Sequence, residues 1–225
     1  MISVICIPTL TRYDLLARLC YALLCGSEGL EIPHIVILDN GGGLKTSKWY
    51  AKIFDYHASS RPELIVPGFN MGVAGSWNFF VKNYGQCIIA NDDVVFSRPA
   101  VDCFNWASMS HPESIIFENT DKVAGFSTFY VNRPNVWMQL GGFDELFNPA
   151  YFEDNDCRYR LKLAGFPIRS VKLKDWSHDN SSTLATASDS YQRMHWCLYK
   201  RNKSYYIKKW GGAPGFEVYR TPFEK

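Results

Sequence analysis

Three carboxylates, Glu153, Asp154 and Asp156, fall within four residues, where an apolar loop carrying Tyr151 and Phe152 gives way to a helical pattern. Acids in the first turn of a helix can do no more than complement its dipole. This density behind an aromatic pair points further, to a site that needs a base, and what the base acts on has to come from the rest of the chain. A second acidic knot, Asn91-Asp92-Asp93, lies between the apolar runs Ile88-Ile89-Ala90 and Val94-Val95-Phe96. Two adjacent acids there are costly without a cation or a set of donors. Hard oxygen ligands at a strand end suit Mg2+ or Mn2+ bridged to phosphates, with a satisfied β-turn as the alternative. His178, in Asp175-Trp176-Ser177-His178-Asp179, stands among carboxylates and is a candidate third ligand, although a lone histidine is more often packed or at the surface. His34, His57, His111 and His195 have no such company.

These groups need a scaffold, and the first ninety residues supply its rhythm. Residues 2–7, 35–38, 64–66 and 87–90 are short apolar runs that read as buried strands. Residues 14–24 carry leucines at helical spacing, and 73–81 also reads as a helix. Strand and helix alternating in this way imply a parallel sheet with helices on its faces. In such a sheet ligands sit beyond the carboxyl ends of the strands. Those ends hold Pro8-Thr9, Asp39-Asn40, the loop Gly68-Phe69-Asn70-Met71-Gly72, and Asn91-Asp92-Asp93, so together they predict one binding cleft. Asp39 can accept hydrogen bonds from a base or ribose, or close an Asx-turn into Gly41-Gly42-Gly43. Those glycines are not a phosphate-binding fingerprint.

The second half is more mixed. A strand is expected over 123–131, a short helix over 134–140, a turn at Gly141-Gly142, a helix over 153–164 stopped by Gly165, a strand over 168–173, and a long helix over 189–210. At 225 residues, 47% hydrophobic and 16% aromatic, the chain can bury a sizeable core. One domain is expected, with residues 1–190 as its body (a donor half to about 97, an acceptor half beyond) and 191–225 as an appended helix and tail. Seven cysteines at irregular spacing, with no Cys-x-x-Cys, read as free thiols of a cytoplasmic protein. No run is long and apolar enough for a signal peptide or a membrane span.

Taken in order, the motifs resemble family 2-like glycosyltransferases of the GT-A fold. The resemblance rests on Val4-Ile5-Cys6-Ile7-Pro8-Thr9, Ile37-Leu38-Asp39-Asn40, Asn70 through Asn78, Asn91-Asp92-Asp93-Val94, Gly141-Gly142-Phe143-Asp144-Glu145, Tyr151 through Asp156, and His178 with Ser181-Ser182. It covers roughly residues 2–210 and implies an α/β, Rossmann-like, mostly parallel sheet flanked by helices, with an appended C-terminal helix. It also implies a nucleoside-diphosphate sugar donor, UDP-sugar favoured, and a divalent metal, Mn2+ or Mg2+. Asn91-Asp92-Asp93 matches the family's Asp-x-Asp position with Asn in place of the first acid, which puts the metal mainly on Asp93, with His178 completing the site. Pro8, Thr9 and Asp39 match the nucleoside pocket, with Asn91 and Asp92 beside it. Asn70, Gly72 and Asn78 match the loop and helix start that approach the donor. Asp154 matches the catalytic base of inverting members, with Glu153 as fallback, and Asp156 is expected to hold local structure through Arg158 or Arg160.

The carboxyl end of the chain bears on the acceptor. From Tyr191 onward there are 8 Lys/Arg against 2 Asp/Glu, leaving 16 against 20 in the first 190 residues. Tyr191, Trp196, Tyr199, Tyr205, Tyr206 and Trp210 interleave with those basic residues. The segment can pack its aromatics on the body, lie on an anionic membrane as a peripheral contact, or meet a nucleic-acid backbone. A glycan or lipid-linked acceptor is preferred to a hydroxymethylated base in phage DNA. Two other functions compete: a sugar-1-phosphate nucleotidyltransferase, which needs a Gly-rich loop where Pro8-Thr9-Leu10-Thr11-Arg12 stands, and a non-catalytic nucleotide-sugar-binding protein, which the acids and His178 argue against.

Overall fold

A computed structural model describes residues 1–25, 33–55, 60–118, 126–179 and 189–224. Strands β1 (Val4–Thr9), β2 (His34–Asp39), β3 (Glu63–Ile65) and β4 (Ile88–Ala90) run parallel in the order β3-β2-β1-β4. The register pairs Thr9 with Asp39 and Ile5 with Ile88, so their carboxyl ends share one edge of the sheet. Beyond β5 (Val94–Val95) the chain adds β6 (Ile115–Glu118), β7 (Thr128–Val131) and β8 (Ile168–Val171), completing the order β3-β2-β1-β4-β7-β6-β8. Strand β7 is antiparallel to both β4 and β6, so β6 points the same way as β4 and its last residue, Glu118, reaches the same edge. Strand β9 (Ser177–His178) pairs with β5 in a separate two-stranded ribbon.

Strand alternation divides the core into two faces. Ile5, Ile7, Ile35, Ile37 and Ile88 meet α1 (Tyr13–Cys25), α2 (Tyr50–Phe54) and α4 (Arg98–Ser110), through residues such as Leu16, Leu19, Phe54 and Phe104. Cys6, Val36, Leu38, Ile89 and Phe129 meet α3 (Gly72–Tyr84), α5 (Pro134–Gln139) and α6 (Glu153–Leu163), where Trp77, Trp137, Phe143 and Leu161 interlock. Helix α6 stops at Gly165, whose φ of +65° an L side chain rarely adopts.

Helix α7 (Asp189–Trp210) has its own contact surface. Tyr206 and Trp210, both buried, join Phe147 and Phe152, with Tyr151, Tyr159, Tyr199 and Tyr205 around them. Buried Asn202, Tyr206, Lys209 and Trp210 recur at intervals of four, three and one, the signature of one helix face against a body. Much of the basic-aromatic pattern in this segment is therefore internal packing, although Trp196 stays 56% exposed. The tail folds back, with the amides of Val218 and Tyr219 each donating to the Trp210 carbonyl at 3.0 Å.

Some expectations shift. Helix α4 and strand β6 carry no clear sequence signal, and the strand expected over 123–131 begins at Thr128. Residues 123–125, His57 and Ser181-Ser182 lie outside the described residues, as does the side chain of Tyr191. All seven cysteines are free thiols, and Cys6, Cys20, Cys87 and Cys157 are buried as small hydrophobes. Among the described residues no helix is long and apolar enough to cross a membrane.

Candidate active site

The polar residues at the carboxyl edge are tied to one another rather than pointing singly at solvent. Thr9, at the end of β1, donates its hydroxyl to Asp92 Oδ2 at 2.7 Å. Burial pushes the Asp92 carboxyl up to about 7, with the Thr9 hydroxyl pulling against it and the neighbouring Asp93 adding to it. Pairing of Val94 with His178 brings β9 against β5 and sets His178 Nε2 3.2 Å from Asp93 Oδ1. Burial lowers the imidazole's affinity for a proton, but the Asp93 carboxylate more than offsets this, and the net shift is upward. Two residues 85 positions apart in sequence, singled out for one metal, thus meet.

A divalent ion fits this pair. Asp93 Oδ1 is buried and meets no well-formed hydrogen bond, its one near group being the His178 imidazole at 3.2 Å; a buried carboxylate so thinly compensated favours a cation beside it. A carboxylate oxygen and an imidazole nitrogen are donors that Mn2+ accepts. Among the described residues no group of three or more His, Cys, Asp or Glu gathers as a metal cage. Two protein ligands with the remainder from phosphate oxygens is a common arrangement for small hard cations.

Asp39 is fully buried, and its carboxylate accepts from the Tyr13 hydroxyl (3.0 Å) and from the amides of Gly41 (3.1 Å) and Leu44 (2.8 Å). It closes the turn after β2, the alternative the sequence left open. Gly41 is required there, because a Cβ would lie 1.9 Å from the Leu10 carbonyl oxygen. Asn40, which the sequence placed at the same strand end, ties this turn to α3: its amide donates to Ser76 Oγ (2.9 Å) and its carbonyl accepts from the Met71 amide (3.0 Å).

At the start of α3, Asn70 Oδ1 accepts from the Gly72 amide at 2.8 Å. Gly72 has φ +70°, and an added Cβ would sit 2.8 Å from Asn148 Nδ2 and 2.9 Å from the Pro149 oxygen. The next amide, Val73, donates to that Pro149 oxygen at 2.7 Å. The loop that opens α3 therefore touches the segment that leads into Glu153 and Asp154. Gly72→Ala is expected to destabilise by at least about 1 kcal/mol and to lower the melting temperature by more than about 2 °C; an unchanged thermal melt would show that the 148–149 loop yields. Asn78 anchors the Gly141–Glu145 turn: its amide nitrogen donates to the Phe143 carbonyl (2.8 Å) and Glu145 Oε1 (2.9 Å), and its oxygen accepts from the Phe143 amide (2.8 Å).

Tyr151 and Phe152 precede the acids with φ values of 80° and 72°. Each left-handed non-glycine residue costs on the order of 1–3 kcal/mol, and such strain collects at functional sites. Glu153 is buried, its Oε2 has no hydrogen-bond partner, and burial with the adjacent Asp154 raises its carboxyl well above the usual range. Asp154 is half-buried. Burial raises its carboxyl too, while the amide of Asn155 (2.7 Å to Oδ1) and the Arg158 guanidinium pull it back. The pair divides: burial and its neighbour push Glu153 further toward the protonated form, while Asp154 is the less buried of the two and has the Asn155 amide and Arg158 favouring its ionised form. Asp156 is fully buried on Arg160 (2.8 Å), Lys209 (2.6 Å) and Trp210 Nε1 (2.8 Å), so its partner is Arg160 and not Arg158, which lies over the Phe117 and Phe126 rings.

Glu118, absent from the sequence reading, is a further buried acid at this edge. It accepts from the Ser127 hydroxyl and the Thr128 amide (3.0 Å), and burial pushes it up to about 7. In the sequence it stands as an isolated Glu after an apolar run and gave no further signal.

No family model matches the sequence, and a search of curated proteins finds no match. Solved structures do match. Residues 1–349 of TarS from S. aureus superpose with a TM-score of 0.56 at 11% identity, over 90% of this chain and 71% of that one; this region has also been solved with UDP-GlcNAc and with UDP. The mannosyltransferase PcManGT from Pyrobaculum calidifontis, solved with GDP-Man and Mn2+, superposes with a TM-score of 0.59 at 13% identity, over 94% of this chain. This chain spans 65% of PcManGT and 43% of a longer TarS structure. With the mixed seven-stranded sheet and the C-terminal helix, these likenesses show that the chain has the GT-A glycosyltransferase fold.

Proposed function

We propose that this protein transfers a sugar from a nucleoside-diphosphate sugar to an acceptor hydroxyl, with inversion at the anomeric carbon. The observation that carries the reading is the Asp93–His178 pair just beyond the end of β4, together with the hydrogen bond from the Val73 amide, at the start of α3, to the Pro149 carbonyl in the segment that leads into Glu153 and Asp154. The structural neighbours solved with UDP, UDP-GlcNAc, or GDP-Man and Mn2+ support a nucleotide-sugar donor.

The nucleoside would lie against Pro8, Thr9 and the turn that Asp39 holds, and the diphosphate near Asn91, Asp92 and the loop at Asn70 and Gly72. A divalent ion held by Asp93 and His178 would supply positive charge where the leaving diphosphate gains negative charge. Asp154 accepts the proton of the attacking hydroxyl; without that, the high pKa of an alcohol keeps it a weak nucleophile. Glu153 is buried and its carboxyl is pushed toward the protonated form, a poor nucleophile, so a single displacement is preferred to a covalent intermediate. The leaving group is already good and needs no general acid, unlike glycoside hydrolysis. The acceptor is proposed to be a glycan or a lipid-linked glycan, and UDP-sugar the favoured donor.

A thermal-shift screen of UDP- and GDP-sugars with and without Mn2+ tests this. At a hundredfold excess over Kd a ligand stabilises by about 2.7 kcal/mol, roughly 5–10 °C for a chain of this size. The rise should appear with one nucleotide class and depend on the metal. No shift with any sugar nucleotide and either ion would sink the reading.

A further inference from the structure

The segment 148–152 holds two consecutive L residues in the left-handed region directly before the candidate base. Such a conformation persists only where its surroundings over-determine it. Every carbonyl from 148 to 151 accepts from outside the segment. Asn148 oxygen accepts from Arg201 Nη2, Pro149 oxygen from the Val73 amide (2.7 Å), and Ala150 and Tyr151 oxygens from Asn202 Nδ2 (2.8 and 3.5 Å). Three of those four partners' contacts come from α7. Asn202 Oδ1 in turn accepts from Arg201 Nε (3.1 Å) and Nη2 (2.9 Å), so the two side chains act as one unit.

The rings repeat the pattern. Tyr199 packs on both left-handed residues, with centroids 5.4 Å from Tyr151 and 5.3 Å from Phe152. His195 stands edge-on to Tyr151 at 4.7 Å, and Tyr206 lies 5.7 Å from Phe152. Asn202 is fully buried within this aromatic cluster. A leucine would fill that place without the penalty of burying an amide, so the amide is there for the carbonyls it binds. The opposite side of the segment rests on α3, where Asn148 Nδ2 donates to the Met71 carbonyl at 3.3 Å.

We infer that α7 is a positioning element of the active site: Arg201 and Asn202 clamp the backbone of 148–151 against the donor-side start of α3 and so fix where Asp154 stands relative to the sugar. The catalytic consequence rests on the transferase reading above, but the clamp itself does not. Neither residue need touch a ligand; both act through the loop. The basic-aromatic helix thereby gains a role beyond capping the core.

Asn202→Asp tests the clamp in the full chain. It keeps the shape and the oxygen that Arg201 binds, but replaces the amide donor by an oxygen facing two carbonyls. Arg201→Met, at an exposed position, removes the second donor and keeps the decision open should the buried variant fail to fold. Amide exchange read by mass spectrometry should rise at least about tenfold over 148–156 in Asn202→Asp, with the central strands unchanged. Sugar transfer, or donor hydrolysis with Mn2+, should show kcat down by about 30- to 100-fold with donor KM within about threefold. Arg201→Met should show the same split at roughly fivefold. Unchanged exchange over 148–156 overturns the clamp. Raised exchange with unchanged kcat overturns its positioning role, as does a fall in kcat matched by loss of donor binding and of melting temperature. Should the wild-type protein act on no donor, the transferase reading fails while the exchange experiment still decides the clamp.

Discussion

Asp154→Asn leaves sugar-nucleotide binding within about twofold of wild type and lowers transfer by about 10^3-fold, within the 10^2–10^4 range of a positioned general base. Asparagine keeps the size of the side chain and the contact with the Asn155 amide, so the donor pocket and the helix start are preserved. What is lost is the lone pair that takes the acceptor's proton. Glu153→Gln should cost far less, because a buried carboxyl that burial and Asp154 hold in its protonated form already resembles an amide. The pH profile carries the same logic. Burial raises the Asp154 carboxyl, and the base works only when ionised. At saturating Mn2+ activity therefore falls away on the acid side at a pH above the ordinary aspartate range. Donor binding is followed by thermal shift and transfer by product formation at saturating donor. Near-normal transfer by Asp154→Asn together with a dead Glu153→Gln would move the base to Glu153 and overturn the division of the pair.

That division could not be read from the sequence, although the cluster could. Short continuous apolar runs bounded by polar and glycine residues gave β1, β2 and β4 to within a few residues, and leucine spacing gave α1. The long helix was legible to the residue, because Gly211-Gly212 stops it. Helix α4 was not. Its buried stripe of Ala100, Val101, Phe104 and Ala107 has helical spacing, but Trp106 (64% exposed) and Met109 (74% exposed) put large apolar groups on its outer face and blur the period. Two-residue strands such as β5 and β9 carry no period at all. Their pairing is nevertheless what delivers His178 to Asp93, so the sequence could name both partners only through resemblance.

The buried amides were harder still. Asn78 and Asn40 sit in the loop-and-turn motifs where ligand contacts are expected, yet both spend their polar atoms tying one loop to another. Residue type gives the hydrogen-bonding capacity but not the partner, and only the tertiary path of the 143–145 and 71–72 backbone decides. Asn202 shows the converse. A lone amide within an aromatic stripe at helical spacing violates the binary pattern, and violations of this kind tend to mark functional or strained places.

Asp156→Ala should be the most destabilising single change among the three clustered acids, at about 3–5 kcal/mol, the usual cost of removing one partner from a buried ion pair. The carboxylate is fully buried and accepts from three groups on two elements: Arg160 on α6, and Lys209 and Trp210 on α7. Its loss strands the Arg160 guanidinium, which still donates to the Leu140 and Gly142 carbonyls, and leaves Lys209 with Asp144 alone at 2.7 Å. A domain's whole stability is about 5–15 kcal/mol, so a fall in melting temperature of roughly 6–20 °C is expected. Asp156→Asn should cost less, since an amide keeps the shape and one acceptor. Pairing Asp156→Asn with Lys209→Met should recover part of the loss, because the stranded ammonium goes with its partner; the shortfall from additivity measures the coupling. An Asp156→Ala protein that melts within about 3 °C of wild type, less than 1–2 kcal/mol by the same conversion, would show that water reaches this cluster and that α7 is held elsewhere. The result also separates Asp156 from its neighbour. Loss of Asp154 removes chemistry from an intact fold, whereas loss of Asp156 loosens α7, so the exchange expected over 148–156 for the clamp variants should rise here too, with donor binding and transfer declining together as the protein melts.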